Sequence, residues 1–406
     1  MNGIRRFALI CMMVSLVVGL SACDELVSIL TTSDLPQMDG VQGEIPIGVV
    51  VPLTGVGAGP YGFSMQRGFE LAREEINNAQ LGGATISFIT VDDMSTVDGA
   101  VSAFQDLADQ GISVVVGYTY TFQVDHVFPL AEENEVVAFS SVSSGAGRSS
   151  LSEYAFRTGL ATNILNPAGV KVSQASLGYT KVAIIYDEVD PYAKSGYEDL
   201  SAALDEIGVE VVTTQTIQKG DTDFSEQMTA IMASDAEAIV ISALATEMVQ
   251  VMTQGRDAGI PSSVRYIVPD LTANEVAIVG DAAEGAITFI NWIETSDTPG
   301  NQAFIRNYRE TYGVEPDPWA AQSYATLYIL AAAISNAGST DSAAIRDALA
   351  QTTDFGTILG QFSFDPNGEA LYDPIIAVVK DGQIVMFEDS DMADEDMLGN
   401  DPHDSN

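Results

Sequence analysis

The stretch IPIGVVVPLTG at residues 45–55 decides the fold class of this chain. Its first seven residues form an apolar, largely β-branched run, which predicts a buried strand over 45–51. An amphipathic helix is predicted over 62–79, and a second strand over 84–91 ends in Asp92 and Asp93. Strand, helix and strand in this order indicate parallel strands that are buried in an α/β sheet.

The same alternation continues along the chain and restarts after residue 160. Further strands are predicted over 112–116, 136–139, 182–186, 209–214, 238–241 and 266–268. Further helices are predicted over 96–110, 122–135, 163–177, 192–207, 224–232 and 246–258. Two sheets of this kind imply two Rossmann-like lobes. Because ligands of such sheets bind beyond the carboxyl ends of the strands, two facing lobes would form a ligand cleft.

The composition is strongly acidic, yet it is apolar enough for a packed core. Of 406 residues, 57 are Asp or Glu and 16 are Lys or Arg, which gives a formal net charge of −41, while 46% are hydrophobic. That apolar content excludes global disorder. The negative field repels phosphate backbones and anionic lipid, so we expect no nucleic-acid partner and no polybasic membrane contact. A high-salt habitat and an ordinary soluble exported protein fit this composition equally.

The first 22 residues have the pattern of a signal peptide. Arg5 and Arg6 precede an apolar run over 7–20, which is too short to span a bilayer comfortably. The run ends in LSAC at 20–23, which resembles the lipobox of bacterial lipoproteins. This resemblance implies that residues 1–22 are removed and that Cys23 carries the lipid. The alternative is an ordinary secretory signal with a chance cysteine.

Two further residues bear on the lipid anchor. The other cysteine of the chain, Cys11, lies in the segment that would be removed, so the mature protein could form no intramolecular disulfide although it is exported. Asp24 resembles the signal that retains Gram-negative lipoproteins on the inner membrane. We therefore expect an exported protein that is lipid-anchored to the outer face of the cytoplasmic membrane.

Irregular segments flank the predicted lobes. Residues 23–43 lack periodicity and contain proline and glycine, which predicts a flexible tether. Residues 389–406 are rich in acids and contain no Lys or Arg, which predicts a disordered acidic tail. Neither segment needs a function beyond spacing and solubility.

A Gly-x-Gly-x-x-Gly sequence at 57–62 raises dinucleotide binding as an alternative. Residues 52–56 separate the motif from the preceding strand, however, and Pro60 removes a backbone donor from the turn. Asp92 and Asp93 also lie about 30 residues beyond the motif, whereas the fingerprint places an acid about 20 residues on. A glycine-rich loop at a ligand cleft is favoured, and we expect no cofactor.

Short motifs along the chain resemble those of the branched-chain amino-acid-binding proteins, the type I periplasmic receptors of ABC importers. The motifs are 45–55, 61–62, 68–72, 75–77, 92–93, 116–117, 129–133, 224–225, 247–248, 255–260 and 319–325. Their order and spacing over residues 44–388 carry the resemblance. It implies the periplasmic binding protein-like I fold, in which two lobes are joined by a three-crossing hinge and the ligand cleft lies between them.

The resemblance also implies how the chain is divided. Residues 44–159 and 293–371 would form lobe one, and residues 160–292 and 372–388 would form lobe two. Three crossings near residues 160, 292 and 371 would form the hinge.

The resemblance implies a carboxylate site on lobe one. The family's carboxylate-binding serine falls on Thr121, a family threonine falls on Ser144, and Val142 supplies a main-chain contact. Thr121 and Ser144 each lie where a helix or turn begins, so hydroxyl and free N–H groups could converge on one anion. The alternative for both side chains is simple N-capping.

The ammonium-binding acid of the family falls on Asp270, directly after an apolar strand. An acid there could pair with a ligand cation in a partly desolvated cleft. The alternative is a loop carboxylate that caps the next helix through Thr272. Tyr61 and Tyr192 match wall positions that face the ligand from opposite lobes, and the alternative for each is packing alone.

One difference from the family pattern leaves open which ligand side chain the cleft accepts. A tyrosine that some family members have in the second lobe falls here on Leu244 or nearby. Hydroxyls at Thr119, Tyr120 and Ser143 could also make the pocket more polar than a leucine site.

The function that these expectations imply is ligand capture by lobe closure, without enzymatic activity. The implied partners are an amino acid or related small carboxylate, an ABC permease, and the membrane through the lipid anchor; a monomer is expected. A sensor module that reports to a signalling partner, or an exported hydrolase, are alternatives. The chain has only two histidines, His126 and His403, so we expect neither a Ser-His-Asp triad nor a metal site.

Overall fold

The computed structural model describes residues 41–79 and 83–387. The predicted signal peptide (1–22), Cys23, residues 24–40 of the predicted tether and the predicted acidic tail (389–406) lie outside the described residues. Within the predicted tether, Val41 is buried and the first strand already begins at Gly43. The packed body therefore includes the end of that segment.

A first sheet of five parallel strands forms around the 45–55 stretch. Its strands run in the order β2–β1–β3–β4–β5. They are β1 (Gly43–Val51), β2 (Ala84–Asp92), β3 (Val114–Gly117), β4 (Val137–Ser140) and β5 (Ala155–Arg157). Strands β3, β4 and β5 are buried along their whole length, as expected for parallel strands that are covered on both faces.

A second sheet contains five parallel strands and two antiparallel ones. The order is β7–β6–β8–β9–β10–β14–β15, and β14 runs antiparallel to β10 and to β15. The strands are β6 (Lys181–Asp187), β7 (Glu210–Ile217), β8 (Ala238–Ser242), β9 (Arg265–Pro269), β10 (Ile287–Ile290), β14 (Ile375–Lys380) and β15 (Gln383–Met386). A small antiparallel sheet follows β10 in the chain and precedes β14. It contains β11 (Phe355–Thr357), β12 (Gly360–Phe364) and β13 (Ala370–Leu371).

Helices cover both sheets. They are α1 (Phe63–Asn78), α2 (Val97–Asp109), α3 (Thr121–Asn134), α4 (Thr162–Leu177), α5 (Pro191–Glu206), α6 (Ser225–Met232), α7 (Ala245–Asp257), α8 (Ala273–Val279), α9 (Asn301–Tyr312), α10 (Pro318–Ala337) and α11 (Ser342–Ala350). Helix α10 packs along α1 and is buried from Pro318 to Ser335. In the part of the chain that the structure describes, no helix is both long and apolar enough to cross a membrane.

The chain passes between the two sheets three times. It leaves the first sheet after β5 and returns to it after β10. The return is seen in α9 and α10, which pack against α1. The ring of Phe364 on β12 lies 5.1 Å from that of Phe156 on β5, so this later segment also packs on the first sheet. It leaves again before β14, which joins the second sheet. The predicted α/β fold with two lobes is confirmed, while the exact lobe boundaries remain predictions.

The sequence pattern located most of the parallel strands to within one or two residues but did not give bounds for the remaining elements. It did not predict β5, and it gave no bounds for any strand or helix beyond residue 268, including β10. Arg157 in β5 and Thr288 in β10 interrupt the apolar runs by which buried strands are recognised. Strand β14 begins with an apolar run, but its antiparallel direction is set only by its pairing with β10.

Two of the three glycines at 57–62 serve close packing. A Cβ atom at Gly62 would lie 1.7 Å from the carbonyl oxygen of Pro52, and one at Gly57 would lie 2.4 Å from the hydroxyl of Tyr120. Residues Ala58–Gly62 form one turn of π-helix that leads into α1. Gly57 and Gly62 therefore have an explanation without a phosphate, whereas a Cβ at Gly59 would meet nothing within 4 Å.

Replacing Gly68 by alanine should test the contact between α1 and α10. The added Cβ would lie 2.2 Å from the carbonyl oxygen of Ala320, which cannot move without displacing the buried helix. We expect Gly68→Ala to lower the free energy of unfolding by about 1–3 kcal/mol, measured by denaturant unfolding. Gly59→Ala is the control, because its Cβ would meet nothing within 4 Å. Equal stability of the two variants would contradict this packing.

Candidate functional site

A cavity lies between the carboxyl ends of the two sheets. Its walls enclose about 530 Å³ of empty space, including the part that is open to solvent. All seven residues that the sequence predicted as ligand contacts line it: Tyr61, Thr121, Val142, Ser143, Ser144, Tyr192 and Asp270. The other lining residues are Thr119, Tyr120, Asp190, Ala243, Leu244, Ala245, Met248, Pro269 and Trp319. The structure thus brings the predicted contacts together in one place.

Hydroxyl groups form the wall that belongs to the first sheet. Thr121 is the first residue of α3, so the N–H groups of that turn have no partner within the helix. Its Oγ1 lies 3.3 Å from Oγ of Ser143 and accepts a hydrogen bond of 3.2 Å from the N–H of Gly145. Ser144 lies beside them on the same wall. Neutral donors at the positive end of a helix are suited to an anion such as a carboxylate.

The alternative that Thr121 serves only as an N-cap of a helix holds only in part. The start of α3 is capped by Gln123, whose side-chain oxygen accepts from the N–H groups of Thr119 and Tyr120. The hydroxyl of Thr121 instead holds the loop that follows β4, through Gly145. It therefore ties the two halves of the hydroxyl wall together.

Arg157, which sequence reasoning missed, supports this wall from behind. Its guanidinium is fully buried and donates to the carbonyl oxygens of Ser143 (3.2 Å) and Gly145 (2.6 Å). It also forms a buried ion pair with Glu369 of the later segment. Because Arg157 binds the carbonyl oxygens of the 143–145 loop, it fixes the orientation of that loop at the cavity.

Asp270 forms the opposite wall, at the carboxyl end of β9. Its Oδ2 accepts a hydrogen bond of 3.0 Å from the hydroxyl of Tyr192, and its Oδ1 accepts one of 3.3 Å from the amide of Asn291. Burial raises the pKa of Asp270 to about 6, and the Tyr192 hydroxyl opposes part of that rise. At neutral pH the group is a partly desolvated carboxylate that faces the cavity.

The helix-capping alternative for Asp270 does not hold. Helix α8 is capped by Thr272 and Glu275, with Glu275 Oε2 accepting from the N–H of Thr272 at 3.0 Å. Asp270 has a left-handed backbone, with φ of +57°. A non-glycine residue adopts this conformation at a cost, which is common at functional sites.

Asp190 is a second carboxylate on the cavity wall that sequence reasoning missed. Its Oδ1 caps α5 by accepting from the N–H groups of Tyr192 (2.9 Å) and Ala193 (3.1 Å). Burial raises its pKa above the ordinary value. The pair Asp190-Pro191 after a predicted strand was an available signal, because an acid before proline is typical of a helix start.

Aromatic rings form the remaining wall. The ring of Tyr61 lies edge-on to those of Tyr120 (5.6 Å between centroids) and Trp319 (5.3 Å). Trp319 begins the 319–325 motif but was not predicted as a contact. Leu244, where the sequence departs from the family, also lines the cavity, together with Met248.

Contacts between the lobes close the cavity. The N–H of Ala146, after β4, donates to Oγ of Ser195 on α5 at 3.0 Å. The ammonium of Lys219, after β7, lies 5.4 Å and 4.9 Å from the ring centroids of Tyr120 and Phe122, which stack on each other. The described lobes are therefore in a closed arrangement.

The described residues contain no arrangement typical of a metal site: within 41–79 and 83–387, no group of three or more His, Cys, Asp or Glu side chains could hold a metal ion. The arrangement at the cavity is instead one for binding. Hydroxyl groups at the carboxyl end of the first sheet and the carboxylate of Asp270 at that of the second line the same cavity. This defines a class of two-lobed proteins that hold a small ligand between their lobes.

Comparisons with known proteins identify the family within this class. A family profile described as "Periplasmic binding protein" matches residues 44–383. The chain is 26% identical to the Leu/Ile/Val-binding protein homolog 1 of Brucella suis biovar 1, over 80% of this chain and 87% of that protein. The chain therefore belongs to the periplasmic binding protein family, whose fold serves ligand binding.

Solved structures agree with this assignment. The leucine binding protein LivK of Thermotoga maritima is similar with a TM-score of 0.79 and 23% identity, over 85% of this chain and 98% of that one. The branched-chain amino acid transporter substrate binding protein LivJ of Streptococcus pneumoniae, solved with isoleucine, is similar with a TM-score of 0.77 and 25% identity. That match covers 85% of this chain and the whole of the other.

Replacing Arg157 should separate its two roles. Arg157→Met leaves Glu369 buried without its partner, so we expect the free energy of unfolding to fall by roughly 3–5 kcal/mol. Arg157→Met combined with Glu369→Gln should recover much of that loss, because the second change removes the unpaired charge. Denaturant unfolding measures both. If the double variant is no more stable than the single one, the ion pair does not account for the cost.

Proposed function

We propose that this chain is the extracytoplasmic substrate-binding lipoprotein of an ABC importer and that it captures an α-amino acid by lobe closure. The observation that supports this proposal most strongly is the lining of the closed cavity. The hydroxyl wall of the first sheet and the Asp270 carboxylate of the second sheet both face it. A zwitterion has a carboxylate and an ammonium in one small molecule. Only such a ligand satisfies both walls at once.

In this proposal the ligand carboxylate binds Thr121 and Ser144, with Ser143 and the main chain at Val142 beside them. The ligand ammonium binds Asp270, which Tyr192 orients through its hydroxyl. Tyr61 contacts the ligand from lobe one. The closed state alone presents all these contacts, so binding shifts the hinge equilibrium towards closure.

The hinge that we propose lies next to the ammonium site. Asn291, which donates to Asp270, also accepts a hydrogen bond of 3.0 Å from the N–H of Leu160. Its Oδ1 lies 2.8 Å from the hydroxyl of Tyr372. Residues 160, 291 and 372 are close to the three proposed crossings. The side chain of Asn291 thus connects Asp270, the proposed ammonium-binding residue, with every segment that must bend on closure.

The similarity to proteins named for Leu, Ile and Val supports an aliphatic or similar amino acid and delivery to a membrane permease. The 20–23 sequence supports a lipid on Cys23 and retention on the outer face of the cytoplasmic membrane. The closed body would present one face of both lobes to the permease. No bond of the ligand needs to break for this role.

Binding of amino acids to the soluble body, measured by calorimetry, tests the ammonium site. We expect Asp270→Asn to weaken binding by about 10–100-fold, since it removes a charge-assisted hydrogen bond. Because the pKa of Asp270 is raised to about 6, protonation below that pH removes the negative charge. Affinity should therefore fall as the pH drops through about 6 and below, and Asp270→Asn should flatten this dependence.

Asp93→Asn is the matched control. Burial also raises the pKa of Asp93 to about 6, but this residue does not line the cavity. It should leave affinity and its pH dependence unchanged. Equal affinity of the wild type and Asp270→Asn would refute the ammonium assignment. Binding of a purely anionic or uncharged compound, with no amino acid bound, would refute the ligand class.

Mass spectrometry of the mature N-terminus tests the lipid anchor. We expect a lipid-modified Cys23 as the first residue, and Cys23→Ser should leave the precursor unprocessed. Cys11→Ser is the control, because Cys11 lies in the segment that is removed. A mature chain with an unmodified Cys23, or one that begins elsewhere, would refute the lipoprotein proposal while leaving the ligand proposal intact.

A further inference from the structure

Lys219 reaches across the cleft from the second lobe to the first. It follows β7, and its ammonium lies 4.9 Å from the ring centroid of Phe122 and 5.4 Å from that of Tyr120. The two rings stack on each other, with centroids 4.8 Å apart and planes 12° from parallel. A cation this close to an aromatic face is attracted by the negative charge of the π system. The contact therefore joins the two lobes next to the ligand cavity, which Tyr120 lines and Lys219 does not.

The ammonium makes this contact although an acid lies near it on its own lobe. Burial raises the pKa of Asp190, and the charge of Lys219 opposes part of that rise. Among the residues that the structure describes, however, no carboxylate lies within ion-pair distance of the Lys219 ammonium, whereas Lys171 and Lys181 each have one. The stacked rings of the other lobe are thus the partner that this ammonium contacts.

The loop that carries Lys219 is fixed to its own lobe on both sides. The N–H of Gly220 donates to Oε1 of the buried Glu247, near the start of α7, at 2.8 Å. The side-chain amide of Gln218 donates to Oε1 of Glu188, which follows β6, at 3.0 Å. Because these bonds tie the loop to two elements of the second lobe, Lys219 moves with that lobe when the hinge bends.

The strand order places this contact far from the proposed hinge. Strand β7 is the edge of the second sheet, and β6, β8 and β9 separate it from β10. The proposed crossings near 292 and 371 follow β10 and precede β14, and α4, after the crossing near 160, packs on these same strands. Four strand spacings of about 4.8 Å put β7 roughly 19 Å from β10. A contact at that distance separates when the lobes rotate apart, so it belongs to the closed state.

We propose that Lys219 is a latch of the closed state and slows the opening that releases the ligand. This inference rests on the proposed function, because it takes ligand binding to be coupled to closure. The latch acts through Tyr120 and Phe122, which flank Thr121 in the chain. It therefore holds the start of α3 against the second lobe, where the ligand carboxylate is proposed to bind. Lys219 needs no contact with the ligand and is a positioning residue.

The competing explanation is electrostatic steering, in which the charge of Lys219 merely attracts the ligand carboxylate through the negative field of the protein. Steering acts on the association rate constant, because it raises the rate of encounter. A latch acts on the dissociation rate constant instead, since the open state that meets the ligand lacks the contact. The two explanations therefore differ in which rate constant changes.

Stopped-flow binding kinetics of the mature chain with leucine, isoleucine and valine as probes test the latch. We expect Lys219→Gln to raise the dissociation rate constant about two- to fivefold, the effect of losing an exposed cation–π contact, and to leave association unchanged. Lys219→Arg should keep the slow dissociation, because a guanidinium also binds aromatic faces. Phe122→Leu should speed dissociation as well, and Lys219→Gln should add less in that background than in the wild type.

Lys194→Gln is the matched control. Lys194 is also exposed and lies on α5 of the same lobe, and no aromatic contact of its ammonium occurs among the described residues. Its loss should change neither rate constant. An unchanged dissociation rate constant in Lys219→Gln, or a change confined to association, would overturn the latch while leaving the proposed function standing. If none of the three amino acids binds the wild type, the proposed function fails for these ligands and the latch fails with it.

Discussion

The carboxylate of Asp270 is the constraint on which the rest of the site depends. It must remain charged at the carboxyl end of a buried strand, where burial raises its pKa to about 6. The protein offsets this cost with two donors, the hydroxyl of Tyr192 and the amide of Asn291. Because Asn291 also contacts Leu160 and Tyr372, the support of the acid extends to all three passages of the chain between the sheets. A group held beside the proposed hinge would be displaced least when the lobes rotate, so the acid would keep its position in the open and closed states.

The opposite wall follows a different principle. The strongest cation near it, Arg157, points away from the cavity and binds the carbonyl oxygens of the 143–145 loop and Glu369. The cavity itself offers hydroxyls and the start of α3, which attract an anion less strongly than a full charge does. With Asp190 and Asp270 also present, such a site favours a ligand that brings its own positive charge. The net charge of −41 is therefore no obstacle to a local anion site.

Much of the fold could be predicted from the local sequence pattern, because buried strands leave a mark in their own residues. Parallel strands that are covered on both faces have to be apolar throughout, so runs such as 45–51 and 182–186 are visible without any knowledge of their neighbours. Arg157 interrupts the apolar run of β5 and Thr288 that of β10, and β14–β15 pair antiparallel at the edge of the second sheet, a direction that no local pattern records. Among the cavity residues, Thr121, Ser144 and Asp270 were predicted from the family resemblance, whereas Arg157 behind the wall did not emerge. Its ion-pair partner, Glu369, lies far away in the chain.

By itself the sequence determined the alternation of strands and helices, the family through the order of its motifs, and the residue types that can bind a zwitterion. These are local properties, since they depend on spacing along one segment. Only the tertiary structure decided that Thr121 and Asp270 line one cavity, that the buried guanidinium of Arg157 binds the carbonyl oxygens of Ser143 and Gly145, and that Asp190 joins them at the cavity wall. Burial and hydrogen-bond partners are set by the packing of segments that lie far apart in the chain, and no local pattern records which of them will meet.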